Sequence, residues 1–199
     1  MTMRPGRVLI APDALGQPEW DTKYFPVALT MEQVEKSPEI DLDKPVSLQH
    51  QVRLHEYYSW PAYWTPEPAQ LTTPVQVPVP DLPPEETDSH LRSCREVTGY
   101  HIHALDGEIG HVEDFILDDE AWSIRYMIVD TRNWLPGRKV LVSPAWIDNV
   151  SWSNRMVYVD LLREVIENAP EYDPTAPVNR EYEIRLYDYY GRPRYWGYR

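Results

Sequence analysis

Cysteine, phenylalanine and long apolar runs are scarce in this sequence. Its 199 residues include one cysteine, Cys94, and two phenylalanines. A lone thiol excludes an internal disulfide and a metal site built only from cysteines. No uninterrupted apolar run approaches the roughly 18 residues of a membrane-spanning helix, and Met1 to Ile10 lacks the apolar stretch of a secretory signal. We therefore expect a cytoplasmic protein that does not insert into a membrane.

Basic residues are also few compared with acidic ones. The chain has 19 Lys and Arg against 32 Asp and Glu, which gives a formal net charge of -13 at pH 7. Such a charge repels nucleic acid and anionic membrane surfaces. Proline, tyrosine and tryptophan, in contrast, are abundant, with 20, 14 and 8 residues. This composition indicates a chain that is rich in turns and poor in long helices.

The sequence repeats itself at a spacing of 132 residues. Val8 to Trp64 aligns without a gap on Val140 to Trp196, and 20 of the 57 aligned pairs are identical. Chance does not explain this identity, so we interpret the chain as two copies of one unit. Residues 90–139 have no counterpart in the first copy, which therefore lacks about half of the unit.

A proline-rich segment separates the two copies. Seven prolines occur between Thr65 and Ser89, a composition that favours extended conformations with little to bury. We therefore predict three parts. Residues 1–64 form a partial copy, residues 65–89 form a linker, and residues 90–199 form a complete domain with a helix and an aromatic tail.

The complete copy shows the pattern of several short β-strands. The predicted strands are Arg95–Ala104, Ile109–Leu117, Trp122–Val129 and Val140–Val142, followed by a hairpin of Val150–Trp152 and Met156–Val159. Asp106-Gly107 predicts a hairpin turn, and Gly110 predicts a bend or bulge. Between Trp122 and Val129, apolar residues at every second position predict one buried face.

Helix signals follow the last predicted strand in both copies. Leu161 to Asn168 reads as a short helix, and its counterpart in the first copy begins with a capping box of Thr30 and Gln33. The second copy has Leu162 at the position of Thr30. Its cap must therefore differ, and Asp160 is the candidate.

A small closed barrel is the economical fold for five or six short strands, because closure removes exposed strand edges. We predict a mainly β protein with a small β-barrel, a short C-terminal helix and a partial N-terminal copy of the same unit. A half barrel would expose apolar strands and unpaired edges. Two hypotheses address this problem: the chain is shortened at its N-terminus by a misassigned start or as a fragment, or a second chain completes the barrel in a dimer.

Several segments of the complete copy resemble a PRC-barrel domain, the family named for the cytoplasmic domain of the photosynthetic reaction-centre H subunit. The resemblance is carried by Asp106 to Phe115, Trp122 to Tyr126, Val129 to Thr131 and Asn133 to Leu141. It covers nearly all of His90 to Asp173, and Gly6 to Asp41 in the first copy. These motifs are similar to those of bacterial proteins that carry two such domains in tandem.

The resemblance implies a small β-barrel with a binding or assembly role, and it supplies no catalytic residue and no cofactor. Our leading hypothesis is a non-enzymatic interaction or assembly module that binds a protein partner or a second copy of itself. One alternative is an accessory factor of electron transfer or proton uptake, like the reaction-centre H subunit. Another is a stress-response protein.

Three histidines and one aspartate are weak ligand candidates. His101 and His103 share a face of one predicted strand, and His111 and Asp114 lie on the next. Three imidazoles could bind zinc. Such residues are more often ordinary strand residues, so no metal and no cofactor are predicted.

The aromatic tails of the two copies are candidates for an interaction surface, because tyrosine and tryptophan dominate many interfaces. The candidates are Tyr57, Tyr58, Trp60, Tyr63, Trp64, Tyr189, Tyr190, Tyr195 and Trp196. The alternative is that each tail packs on its own or its neighbour's barrel. We favour packing, because the tail recurs with each copy as a structural part would.

Overall fold

A computed structural model describes residues 6–41, 45–61, 91–131 and 137–197. Contacts divide the chain into two compact units, Met1–Ser93 and Cys94–Arg199. The predicted linker at residues 65–89 lies outside the described residues. Within the described ranges, no helix is both long and apolar enough to cross a membrane.

The structure is mainly β with short helices, as the sequence predicts. The helices are α1 (Met31–Glu35), α2 (Leu48–Tyr58), α3 (Cys94–Val97), α4 (Arg163–Glu167) and α5 (Arg180–Tyr190), and two 3-10 helices span Pro12–Ala14 and Pro144–Trp146. The strands are β1 (His101–Ala104), β2 (Gly107–Asp118), β3 (Ser123–Asp130), β4 (Lys139–Val142), β5 (Ile147–Ser151) and β6 (Met156–Val159). They form one six-stranded sheet in the C-terminal unit, in the order β4-β3-β2-β1-β6-β5. The sheet is mixed, because β1 and β6 are parallel and the other neighbours are antiparallel.

The predicted hairpin between the first two strands is present. A turn at Leu105 and Asp106 leads into Gly107, whose φ of 142° is a conformation that favours glycine. The register of β1 and β2 shifts beside Gly110, where the sequence predicts an irregularity. A Cβ atom on Gly110 would overlap the carbonyl oxygen of Asp130 on β3. The glycine therefore allows β2 and β3 to approach closely.

The alternating pattern predicted for β3 is wrong. Every residue from Tyr126 to Asp130 is buried, including Met127 and Val129, which the alternation assigns to the opposite face. Ile124, which it assigns to the buried face, is exposed. The strand lies between β2 and β4, and its second half is covered on both faces. A strand covered on both faces is a continuous apolar run rather than an alternating one.

The first predicted strand begins too early. Cys94–Val97 is helix α3, and β1 starts only at His101. Gly99, with a φ of 88°, follows the helix, and its amide donates to the carbonyl of Val112 on β2. A glycine with positive φ is a common helix terminator, so the chain changes from helix to strand at this point.

The predicted cap of α4 is also wrong. The amide of Arg163 donates to Oδ1 of Asp106 at 2.8 Å, whereas the N-cap residue Leu162 supplies no side-chain hydrogen bond. Asp160 instead forms an ion pair with Arg192, at 2.9 Å. The turn between β1 and β2 therefore caps a helix that lies far away in the sequence.

The N-terminal unit contains α1, α2 and the 3-10 helix Pro12–Ala14. The capping box predicted for α1 is confirmed. The backbone N–H of Gln33 donates to Thr30 Oγ1 at 3.2 Å, and the backbone N–H of Thr30 donates to Gln33 Oε1 at 2.8 Å. The two side chains thus satisfy two backbone N–H groups that have no partner within this short helix.

Local features of the N-terminal unit recur 132 residues later. This spacing separates α1 from α4, α2 from α5, and the first 3-10 helix from the second. Three isolated bridges also have counterparts: Val8↔Glu39 corresponds to Val140↔Glu171, Leu15↔Val27 to Ile147↔Val159, and Glu19↔Tyr24 to Ser151↔Met156. The repeated sequence therefore adopts the same local geometry at both positions.

Candidate interaction site: an aromatic cleft beside α5

Helix α5 is bounded by clear signals at both ends. The Asn179 side chain accepts a hydrogen bond from the Tyr182 amide at 2.9 Å, as an N-cap does. Gly191 ends the helix with a φ of 62°, a left-handed conformation common at helix C-termini. The helix buries Leu186 and Tyr190. It thereby fixes the position of the aromatic residues on either side of its C-terminus.

A buried carboxylate connects α5 to the sheet and to the tail. Glu183 is 5% exposed, and its Oε1 accepts hydrogen bonds from the hydroxyls of Tyr126 on β3, at 2.7 Å, and Tyr195 in the tail, at 2.8 Å. Its Oε2 pairs with Arg180 at 2.8 Å. Burial, together with the bond to Glu183, raises the pKa of Tyr126 well above its usual value. The tyrosine therefore keeps the proton that it donates.

A cleft of about 290 Å³ opens beside this cluster. Its aromatic walls are Trp146, Tyr187 and Tyr195, and Pro144 and Pro193 also line it. The rings form a connected group, since the centroid of Tyr187 lies 5.5 Å from that of Trp146 and 6.1 Å from that of Tyr195. Trp146 and Tyr187 are themselves only 5% and 4% exposed, so they form the buried floor of the cleft, and Tyr195 is half-buried.

Two arginines, each paired with an aspartate, also line the cleft. Arg125 lies with Cζ 4.1 Å from the ring centroid of Tyr195 and pairs with Asp118 at 2.8 Å. Arg192 pairs with Asp160 at 2.9 Å. Partial burial by itself would raise the pKa of Asp118, but hydrogen bonds from the Ala121 amide and from Arg125 outweigh it and lower this pKa. A guanidinium has five N–H donors, so an ion pair with one carboxylate does not exhaust either side chain.

Several residues of the predicted aromatic tail pack inside the C-terminal unit. Tyr190 is buried and donates to the Leu141 carbonyl at 3.3 Å, and Tyr189 donates to the Val165 carbonyl at 2.8 Å. Trp196 packs edge-on against Tyr187, with centroids 5.1 Å apart. Within this set of tail residues, Tyr195 lines the cleft.

The tail of the N-terminal unit follows a similar course. The Tyr57 hydroxyl donates to the Gln33 carbonyl at 2.9 Å, the counterpart of the bond made by Tyr189. Tyr58 and Trp60 stack with ring centroids 4.2 Å apart. Tyr63 and Trp64 lie outside the described residues. An interaction role for these two tails stays a prediction.

The weak ligand candidates are on β1 and β2, in the same unit as the cleft. His101 lies opposite His111 in the register, and its Nδ1 is 2.6 Å from Glu108 Oε1. The ring of His103 is 5.3 Å from that of Tyr158, and Asp114 accepts a hydrogen bond from the Phe115 amide at 2.8 Å. Across the described ranges, no group of three His, Cys, Asp or Glu residues is arranged to hold a metal ion.

Most residues that build the cleft were not singled out in the sequence. Trp146, Arg125 and Arg192 line the cleft from different elements, and Glu183, which does not line it, accepts the hydrogen bond of Tyr195. One signal was available, because Asn179 and Gly191 bracket eleven residues as a helix cap and terminator do. Recognising this helix would have placed Glu183 on the same face as buried aromatic residues.

Two comparisons with known proteins gave different results. No curated protein matches the chain. The PRC-barrel domain family matches residues 93–166, a range that contains all six strands, ends within α4 and stops before α5. The cleft is thus built partly by the matched region and partly by the helix and tail that follow it. The match to the PRC-barrel domain family thus covers the six-stranded sheet of the C-terminal unit and less than half of the chain.

Proposed function

We propose that this chain is a non-enzymatic interaction module that binds a segment of a protein partner in the cleft beside α5. The observation that carries the proposal is the combination of fixed aromatic walls and two arginines in one concave surface. Aromatic and arginine side chains are enriched at protein interfaces and often dominate their binding energy. The PRC-barrel domain supplies the scaffold, and α5 with its tail supplies one wall.

The chemistry of the cleft favours an extended, proline-containing and acidic segment. Aromatic grooves bind proline-rich segments, because these are already extended and lose little entropy on binding. Trp146, Tyr187 and Tyr195 provide such a groove, and Arg125 and Arg192 favour carboxylates on the ligand. Each arginine is paired with an aspartate, and its remaining N–H donors can bind a carboxylate of the ligand in a chain with a net charge of -13. We therefore expect the cleft to bind acidic partners.

Calorimetric titration of the full chain with a synthetic peptide of repeating Pro-Pro-Glu tests the proposal. We expect binding that is lost when lysine replaces glutamate or when alanine replaces proline in the peptide. Arg192→Ala should weaken binding about tenfold or more, because a charge-assisted hydrogen bond contributes about 1.5–3 kcal/mol. The matched control is Arg194→Ala, since Arg194 lies in the same tail and pairs with Asp188 at 2.6 Å. No binding, or equal weakening by both variants, contradicts the proposal.

The N-terminal unit is, in this proposal, a partial copy of the same domain. The supporting observations are the 132-residue spacing of its helices and of its three bridges. An accessory role in electron transfer or proton uptake and a role in the stress response stay predictions, as does the cytoplasmic location. His101, one of the weak ligand candidates, lies at the surface together with Glu108, the carboxylate 2.6 Å from its Nδ1.

A further inference from the structure

A second cavity, of about 330 Å³, is present in the C-terminal unit. Residues of β1, β6 and β5 line it, and these strands are neighbours at one side of the sheet. The side chains that give it its chemistry are His103, Leu105, Asp148, Tyr158 and Asp160. We call this feature the second cavity. None of these five residues lines the cleft beside α5, so the two concave surfaces are distinct.

Two contacts connect the second cavity to the cleft. Arg192, which lines the cleft, pairs with Asp160, which lines the second cavity, at 2.9 Å. The Asp160 amide donates to the carbonyl of Trp146, at the floor of the cleft, at 3.0 Å. Asp148 follows Trp146 by two residues, which is at most about 7 Å along an extended chain. The two cavities are therefore neighbours that meet at the Asp160–Arg192 ion pair.

The carboxylates of the second cavity leave it with a negative charge. Asp160 and Arg192 offset one another. Asp148 is exposed, and its side chain forms no ion pair with any residue that the structure describes. One negative charge therefore remains when His103 is neutral. The Asp160 side chain is 58% exposed, and a carboxylate has about four lone-pair sites, so Asp160 can accept from a second donor beside Arg192.

Two rings and one leucine give the second cavity its remaining surface. The rings of His103 and Tyr158 lie with centroids 5.3 Å apart, and a cation is attracted to the face of a tyrosine ring. Leu105 is 63% exposed and offers apolar surface beside them. Lysine and arginine side chains combine an apolar stem with a charged end. Such a side chain matches both the apolar surface and the charge of Asp148.

We propose that the second cavity binds a lysine or arginine side chain of the same extended partner segment that the cleft binds. The inference rests on the proposed function and deepens it, because it adds a basic residue to the recognised segment. A proline-rich segment advances about 3.1 Å per residue. A basic residue about three positions away from the glutamate therefore spans the distance between the two cavities.

Calorimetric titration of the full chain tests this pairing with variants of the Pro-Pro-Glu repeat peptide. Lysine or glutamine replaces the first glutamate in one pair of peptides and the last glutamate in another, because the direction of the bound segment is open. In one of the two pairs, the lysine peptide should bind about fivefold more tightly than the glutamine peptide, as expected for an exposed ion pair and a cation–ring contact.

The variant Asp148→Asn should abolish the preference for lysine while it still binds the original Pro-Pro-Glu peptide. Glu120→Gln is the matched control, because Glu120 is an exposed carboxylate in the turn between β2 and β3 of the same unit. This control should keep the preference. Equal affinities for lysine and glutamine in both pairs overturn the inference and leave the cleft proposal intact. A preference that Asp148→Asn retains overturns it equally.

A second measurement examines the second cavity without the cleft. In a nuclear magnetic resonance titration of the full chain, acetyl-lysine methylamide should shift the amide signals of Asp148 and Tyr158, and Asp148→Asn should remove these shifts. If the Pro-Pro-Glu peptide fails to bind but these shifts occur, the cleft proposal is contradicted and the second cavity keeps its role as a site for a basic side chain. If neither is seen, both proposals are overturned.

Discussion

Replacing Glu183 with alanine should destabilise the C-terminal unit more than any other single change considered for α5. The carboxylate is buried and accepts hydrogen bonds from Tyr126 and Tyr195. Hydrogen bonds to a charged group contribute about 1.5–3 kcal/mol each, and a buried hydroxyl left without a partner is penalised further. Arg180 is half exposed, so its ion pair adds only about 0–1 kcal/mol.

These contributions are not additive, because the three partners share one carboxylate. Removing one member of a buried charged network typically destabilises a protein by about 3–5 kcal/mol. We expect a loss of this size for Glu183→Ala. Tyr126→Phe should lower the stability by only about 1–2 kcal/mol, since Glu183 keeps its bonds to Tyr195 and Arg180.

Hydrogen exchange of the buried β3 amides measures this loss in the C-terminal unit alone, independently of how the N-terminal unit unfolds. Glu181→Ala is the matched control, since Glu181 is an exposed residue on the first turn of the same helix. It should change the stability by less than about 0.5 kcal/mol. Equal effects of the Glu181 and Glu183 variants would refute the role given to the buried carboxylate.

Three further predictions concern local geometry and pH. Gly110→Ala should lower the unfolding free energy of the C-terminal unit by about 3 kcal/mol, because the new Cβ overlaps the carbonyl oxygen of Asp130. Thermal and urea melts measure this loss. Asp106→Ala should lower the unfolding free energy by about 1 kcal/mol through loss of the α4 cap, and the Arg163 amide should exchange its hydrogen faster. Burial raises the pKa of Tyr182 from 10.0 to about 12. Because the raised pKa belongs to the folded state, the protonated Tyr182 hydroxyl contributes to stability fully below pH 10, and this contribution is lost as the pH rises towards 12. Ultraviolet titration should show one tyrosine that ionises late, and this late step should be absent in Tyr182→Phe.

The β-strands were predictable where local signals agree with the tertiary environment. The Asp-Gly turn, the irregularity at Gly110 and the hairpin before Met156 all depend on short-range geometry. The capping box of Thr30 and Gln33 is local as well. Each of these features is encoded within a few neighbouring residues, and each is present in the structure.

The failures arise where distant residues decide the outcome. Asp106 caps α4 across the fold, which no pattern near Leu162 could reveal. β3 is buried on both faces because elements from elsewhere cover it. Helix α5 was hidden by its aromatic composition, since tyrosines have only modest helix propensity. The cleft could not be predicted because its walls meet only after the sheet, the second 3-10 helix and the tail have packed.

The parallel pairing of β1 with β6 has a consequence for the order of folding. β1, β2 and β3 are consecutive antiparallel strands, so they can pair as soon as they are synthesised. The outer side of β1 must wait for Met156–Val159, which comes after β4 and β5 in the chain. Closing such a distant contact carries a loop-closure entropy cost that grows with the length of the intervening chain, unless that chain is already ordered. We therefore expect the β1–β6 contact to form late, and an emerging chain to present an unpaired β1 edge to chaperones until β6 has left the ribosome.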